Sequence, residues 1–240
     1  MICRMEKTIR ITPSMCDSTK KLAVHNIFTL FMDLASEHGH DIGLGADRLA
    51  EKGLFWLTVK TKIHIEKLPQ MLDTITAVTW PEKAGKIRCN RYYALYDKGE
   101  LLVEGKTEWA IVDIKTGKLC KTADEFWGGI EFCEDTVCNE PFEKISDDFS
   151  NSVKLYDYTV KSTDIDLGQH MNNAAYPRAI FGAFSCKESI DLNVRDMEIV
   201  FRNPSFEGTV LSIYSRKYDS ITEVGMLFPD GKAAVVARIK

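Results

Sequence analysis

Between Lys21 and His38, apolar residues recur at helical spacing: Leu22, Val24, Ile27, Phe28, Leu30, Phe31, Leu34 and Ala35. An apolar face this broad predicts a buried helix. Gly39 fits its C-cap. Upstream, Lys7–Ile11 alternates like a strand and Pro13–Ser18 reads as a loop. Ala46–Glu51 predicts one further helical turn. From Leu54 the period changes to two. Phe55–Ile65, Thr74–Trp80, Arg88–Tyr96 and Glu100–Asp113 each predict a strand, with Asp97-Lys98-Gly99 and Lys115-Thr116-Gly117 as hairpin turns. Lys121–Ser152 breaks the pattern: it is acidic, carries Gly128-Gly129 and Pro141, and reads as a surface linker. The same grammar then returns. A strand at Tyr156–Lys161 leads through a polar turn to a helix at Asn173–Lys187. Strands follow at Asp196–Arg202, Thr209–Lys217, Ile221–Leu227 and Ala233–Ile239, with a turn at Pro229-Asp230-Gly231.

The return suggests a repeat. Asp17 and Asp166 stand 149 residues apart, each after a strand. Pro69 and Pro204, like Thr74 and Thr209, stand 135 apart. The shortfall fits a longer helix-to-strand connection in the first half. Helix then antiparallel meander, twice over, is an α+β architecture of two units, each a helix wrapped by a curved sheet. The predicted division is residues 1–120, a linker at 121–152, and residues 153–240.

Composition narrows the class. The 240 residues are 45% hydrophobic and 28% charged, with a net charge of -4, so no basic excess argues for nucleic acid. Seven scattered cysteines without a C-x-x-C pair favour reduced thiols in a reducing compartment. No apolar run reaches the ~18 residues of a membrane span, and the first residues lack a signal-peptide core. The expectation is a cytoplasmic protein.

The candidate chemistry is concentrated in Thr163–Tyr176, T-D-I-D-L-G-Q-H-M-N-N-A-A-Y. Two acids, a glycine, a histidine and two asparagines precede an apolar helix. A helix start carries unpaired N–H groups and the positive end of the helix dipole. Such a place can polarise a carbonyl. His170 can move a proton near neutral pH. Asn172 and Asn173 are good N-caps, and Pro177 is tolerated in a first helical turn.

These residues carry a family resemblance. Asp164–Tyr176 resembles the D-x-D-x-N-Q-H-x-N-N-x-x-Y block of acyl-acyl carrier protein thioesterases. Trp56–Trp80 resembles that family's tryptophan, long strand, proline, turn and T-W run. Lys115–Phe126 resembles its K-T-x-x-L-x-K-x-x-D-E segment. The match runs from about residue 8 to the end, and the order of the motifs is its specific part. It implies a tandem double hotdog fold. The first unit would bind the acyl chain and the second would carry the catalytic turn. The implied activity is hydrolysis of fatty acyl thioesters on acyl carrier protein, with no cofactor and no metal. No transit peptide precedes residue 8, which points to a bacterial form.

Carried over residue by residue, Asp166 is the general base or nucleophile. His170 activates water, Asn173 joins them, and helix-start amides hold the oxyanion. Gly168, Asn172, Tyr176 and Trp56 are the expected substrate-binding residues, with Met32, Leu34, Phe28 and Phe31 as further slot candidates. Asp164 is expected to hold the turn. Two departures stand out: Gly168 replaces an asparagine, and Pro204-Ser205 stand where the family has an acid and a cysteine. Ser205 and Glu207 are weak replacements. D-I-D-L-G does sit close to the D-x-D-x-x-G turn of single-unit hotdog thioesterases. In the first half, Asp17 stands without a histidine, and Lys21 faces the place of His170. Lys83, Lys86, Arg88 and Arg91 form a candidate carrier-docking patch. E-H-G-H-D at 37–41 has metal-like residue types, but Gly39 separates its histidines. The rival readings are a hotdog acyl-CoA thioesterase and a non-catalytic acyl-binding protein. A homodimer is left open.

Overall fold

The computed structural model describes residues 3–83, 85, 87–121 and 130–240. The chain forms two compact units: Met1–Ala23 with Thr29–Glu140, and Val24–Phe28 with Pro141–Lys240.

The first unit contains β1 (Met5–Arg10), α1 (Val24–Asp41) from Thr29 onward, α2 (Ala46–Glu51), β2 (Leu54–Ile65), β3 (Thr74–Pro81), β4 (Arg88–Asp97) and β5 (Glu100–Asp113). Its antiparallel strands lie in the order β1-β3-β4-β5-β2. One face meets α1. The Phe31 ring stacks on Tyr93 with centroids 4.3 Å apart, and it fills the space that a β-carbon on Gly105 would need, 2.5 Å from its edge. The opposite face buries Val78, Trp80, Tyr92 and Ala94 under Cys133 and Val137.

The second unit contains β6 (Val153–Thr159), α3 (Ala175–Gly182), α4 (Cys186–Asp191), β7 (Asp196–Phe201), β8 (Val210–Tyr218), β9 (Ile221–Leu227) and β10 (Ala233–Ile239). Its strands lie in the order β7-β10-β9-β8-β6. Ile145 and Phe149 pack on Val200, Leu227, Ala233 and Val236. Residues 130–152 therefore form no helix or strand, yet they bury side chains against each sheet in turn.

Four expectations are corrected. First, α1 runs through Gly39 to Asp41 and is capped at Ile42. Gly39 does not end the helix: the chain doubles back beyond it, and Leu44 N–H donates to its carbonyl at 2.7 Å. Second, the helix expected at Asn173–Lys187 is two helices. Ser185 and Glu188 close a capping box that starts α4 afresh.

Third, the repeat offset in the later segment is 136 residues. In the first unit Ile11 N–H donates to Asp73 O, and Leu72 N–H to Ile11 O. In the second, Val160 N–H donates to Thr209 O, and Gly208 N–H to Val160 O. Leu72 and Gly208, at φ +72° and +79°, occupy the same left-handed corner. Matching prolines gave 135, and a one-residue slip exchanges the faces of a strand. The 149-residue offset of Asp17 and Asp166 holds.

Fourth, Cys3 and Cys133 are joined in a disulfide, where scattered spacing predicted reduced thiols. They are 130 residues apart, and only the covering segment on the first sheet brings them together. Cys16, Cys89, Cys120, Cys138 and Cys186 form no disulfide.

Candidate active site

The polar turn is built from the backbone outward. A 3₁₀ turn at Ser162–Asp164 follows β6. Ile165 and Met171 then form an isolated antiparallel bridge. Between them, Asp166 N–H donates to His170 O at 2.9 Å, and Gln169 N–H to Asp166 O at 3.0 Å. Gln169 takes the left-handed conformation, φ +63°. This is a type I turn closed by a bulge. Asp166 Oδ1 accepts from Gly168 N–H at 2.8 Å, an Asx turn that stiffens the tip. Leu167 at the tip is 97% exposed.

The turn brings Asp166 and His170 together around Gly168. A β-carbon on Gly168 would stand 3.1 Å from Asp166 Oδ1 and 3.2 Å from His170 Nδ1. Both side chains are half-buried. The His170 ring leans on Phe206, with centroids 5.2 Å apart. Gly168 is thus a gap between two functional groups, and its backbone does not use the left-handed region.

Asp164 is the anchor. Its side chain is buried and accepts from Tyr158 Oη at 2.7 Å, Lys161 N–H at 2.8 Å and Arg178 Nη2 at 2.5 Å. Its carbonyl accepts from Asn172 N–H at 2.7 Å. One residue thereby ties β6, the turn and α3. Burial and the bond to this carboxylate push the Tyr158 phenol up to about 12.

Asn172 prepares α3. Its Oδ1 accepts from Ala174 N–H at 2.9 Å and its carbonyl accepts from Ala175 N–H at 2.8 Å. These are two of the helix-start amides expected to face the oxyanion, and they are already occupied. Pro177, in the same first turn, has no N–H to give. Asn173 is half-buried and its carboxamide makes no hydrogen bond among the described residues.

Tyr176 is buried and meets Phe201 edge-on at 5.9 Å. Its hydroxyl faces Ser205, and its pKa is raised by burial first and also by the Asp166 charge. Ser205 is wholly buried, and its Oγ reaches no partner in hydrogen-bonding geometry. Its carbonyl accepts from Met171 N–H at 2.8 Å, next to His170. Ser205 thus lies at the site, while Glu207 is exposed in a turn. The sequence signal for Ser205 was its place at the family's later strand. Phe206 carried no signal.

The first unit repeats this turn without its chemistry. Asp17 N–H donates to Lys21 O at 2.8 Å, Lys20 N–H donates to Asp17 O at 3.1 Å, and Lys20 has φ +63°. Asp17 Oδ1 accepts from Thr19 N–H at 2.8 Å. Met15, Thr19, Lys21, Ala23 and Val24 stand where the second unit has Asp164, Gly168, His170, Asn172 and Asn173. An aspartate at this point therefore shapes the turn in both units. The groups added in the second unit are what distinguish it.

Other expectations fall elsewhere. Trp56, in the first unit, is half-buried, meets Trp109 edge-on at 6.2 Å and donates from Nε1 to Leu44 O at 2.8 Å. Phe28, Phe31 and Leu34 are buried and Met32 is half-buried. The docking patch is corrected. Strand alternation turns Arg91 inward, 8% exposed, and Arg88 pairs with Glu108 at 2.5 Å. Lys86 and part of the Lys115–Phe126 motif lie outside the described residues. No group of metal ligands occurs among the described residues. His38 is buried, whereas His40 is exposed beside Asp47.

Family models for the acyl-ACP thioesterase N-terminal and C-terminal domains match residues 4–130 and 148–232. The chain belongs to the acyl-ACP thioesterase family. It is 27% identical over 171 residues to a chloroplastic palmitoyl-acyl carrier protein thioesterase of Cuphea hookeriana, covering 64% of this chain and 40% of that protein. The relative from Gossypium hirsutum with the same description is 27% identical over 191 residues, covering 75% and 46%. The chain spans less than half the length of these curated relatives. Among solved structures, an acyl-ACP thioesterase from Bacteroides thetaiotaomicron superposes with a TM-score of 0.84 at 18% identity, covering 98% of this chain and 96% of that one. A 12:0-ACP thioesterase from Umbellularia californica gives 0.87 at 18%, covering 100% and 97%. The α+β fold is thus the tandem double hotdog of that family.

Proposed function

We propose that this acyl-ACP thioesterase family member hydrolyses fatty acyl thioesters of acyl carrier protein at the Asp164–Tyr176 turn. The observation that carries the reading is the contrast between two turns of one backbone geometry. Only the second holds a histidine beside the aspartate and an unengaged asparagine amide.

The chemistry follows from what each group has free. Asp166 spends Oδ1 on Gly168 N–H and keeps its second oxygen. With His170 across the Gly168 gap, the pair takes a proton from water as its oxygen attacks the thioester carbon. The carbonyl oxygen becomes the oxyanion. Asn173 is the free donor for it, since Ala174 and Ala175 amides serve Asn172. The tetrahedral centre collapses, the carbon–sulfur bond breaks, and His170 returns the proton to the departing thiolate. Gly168, Asn172 and Tyr176 shape the site.

The acyl-CoA reading gains from one observation: the carrier-docking patch loses Arg91 to the interior. A bacterial, cytoplasmic setting remains part of the proposal. The Cys3–Cys133 bond is the feature that speaks against a reducing compartment.

The test is release of fatty acid from matched acyl-carrier-protein and acyl-CoA thioesters by native protein, Asp166→Ala and His170→Ala. Expected is release from the carrier thioester and a loss of about 100-fold or more in either variant. Release surviving both substitutions means the reaction occurs elsewhere. Equal turnover of the CoA thioesters selects the rival substrate class.

A further inference from the structure

Arg91 is a buried cation without an anionic partner among the described residues. It lies on β4 facing α1, donates from Nη1 to His38 Nδ1 at 2.9 Å and to Thr79 Oγ1 at 3.3 Å, and pairs with no carboxylate among the described residues. The acids of the neighbourhood are spent elsewhere: Glu108 on Arg88 and Lys60, Glu82 on Tyr92 and Asn90. The end of α1 is closed by its own chain, with Ile42, Gly43 and Leu44 N–H groups on the carbonyls of His38, His40 and Gly39. Burial accordingly dominates the guanidinium and lowers its pKa. An uncompensated buried charge is expensive, so it calls for a partner.

The same face carries further polar atoms. Register places Arg91 opposite Thr107, Tyr93 opposite Gly105, Cys89 opposite Trp109, and Thr58 opposite Trp109. Thr58 Oγ1, Tyr93 Oη and Trp109 Nε1 are buried there short of full hydrogen-bonding geometry, with the Tyr93 hydroxyl lying near Thr107 and Trp109. Their concentration on one face beside the guanidinium gives that face hydrogen-bonding capacity suited to a carboxylate. Next to them, Ile42, Leu44 and Trp56 offer an apolar wall.

We propose that the inner face of the first unit's sheet, under α1, binds a carboxylate carried on an alkyl chain. Arg91 is the counter-ion and Thr58, Tyr93 and Trp109 supply hydrogen bonds. That the alkyl chain is an acyl chain of the substrate rests on the proposed function; the carboxylate site does not. Two sources share this chemistry: a substrate chain with a carboxylate at its far end, and the head group of released fatty acid.

The experiment is calorimetric titration of the full chain with decanoate, decanedioate and decanol, for native protein, Arg91→Met and Arg91→Lys. Native protein should favour the carboxylates over decanol by about tenfold or more, the size of a charge-assisted hydrogen bond. Arg91→Met should lose that preference and melt at or above the native temperature without ligand, because the lone charge is gone. Arg91→Lys should keep part of the preference. If Arg91→Met fails to fold, Tyr93→Phe serves in its place, with the preference reduced about threefold.

A native protein that binds decanol as tightly as decanoate overturns the site. A preference that survives Arg91→Met does the same. Turnover separates the sources. Faster hydrolysis of the decanedioyl thioester than of the decanoyl thioester, in native protein alone, assigns the carboxylate to the chain's far end. Competition by decanoate without that gain assigns it to the released acid. A protein with no hydrolase activity but with the preference would end the proposed function and leave this site standing.

Discussion

Asp164 and Asp166 stand two residues apart and hold different kinds of partner. Asp164 is buried and fully engaged, so its loss is structural. Asp164→Ala should cost about 2–3 kcal/mol in urea unfolding, the sum of unmade hydrogen bonds around a mostly exposed Arg178. A cost under 1 kcal/mol would show that Arg178 and Tyr158 find other partners. Gly168 tests the opposite case. Gly168→Ala puts a carbon about 3 Å from both Asp166 Oδ1 and His170 Nδ1, in a backbone region any residue accepts. Stability should shift by less than about 1 kcal/mol. Turnover should fall about tenfold while KM moves little, as expected when catalytic geometry is disturbed without loss of binding. An unchanged kcat would mean that the gap has no catalytic role. Much of this site was legible, because aspartate, glycine, histidine and asparagine within one turn are a local pattern. The anchors were not. Tyr158 and Arg178 lie six and fourteen residues from Asp164, and only the fold of the turn makes them neighbours.

Among the elements, strands were read well and helix ends poorly. Strand grammar recovered every strand to within a few residues: the start of β8 alternates in burial, whereas β3 and β4 are covered on both faces and were legible from their aromatic and β-branched residues between turn signals. Helix termini are decided by single hydrogen bonds. Gly39 looked like a C-cap and instead lies inside α1, which is capped at Ile42. The break between α3 and α4 was written as S-x-x-E at Ser185–Glu188, a signal overridden by the apolar run before it. Ser185→Ala should cost about 1 kcal/mol and raise amide exchange across α4, leaving α3 and the catalytic turn unchanged. Exchange rising equally in α3 would show that the two helices are one cooperative unit. The repeat illustrates the same limit. Prolines at turns matched at 135, but the backbone bonds that fix strand register match at 136.

Across the whole chain, residues 130–152 of the acidic stretch read as a linker bury side chains against the sheets. Its composition hid the point, because the buried Cys138, Ile145 and Phe149 are widely spaced among acids. On the first unit it is fastened by the Cys3–Cys133 bond and by Trp80 Nε1 donating to Asp135 O at 2.7 Å. Reduction should lower that unit's stability by about 2–4 kcal/mol, and a melt unchanged by reductant would count against the bond. On the second unit the fastening is ionic. Arg216 and Arg238 hold Glu223, which is buried, and reach Asp148 O and Glu143 on the covering segment. Phe149 takes the space above Gly225, where a β-carbon would meet its ring at 2.6 Å. A hydrogen bond from Lys240, with help from Arg238, holds the Glu143 carboxyl below its ordinary range. Burial alone would raise Glu223, but bonds from Tyr218, Arg216 and Arg238 outweigh it and lower its pKa. A carboxylate depressed by folding contributes stability above its unfolded pKa, and loses it as pH falls through the folded value. The contribution of both groups is therefore complete above about pH 4.5 and disappears in stronger acid. Hydrogen exchange at pH 6 and then at about pH 3.5, corrected for intrinsic rates, should show residues 141–149 opening before β9 and β10. Glu143→Gln should remove part of that pH dependence. Protection of 141–149 that does not change between the two conditions would mean that Ile145 and Phe149 hold the segment by packing alone.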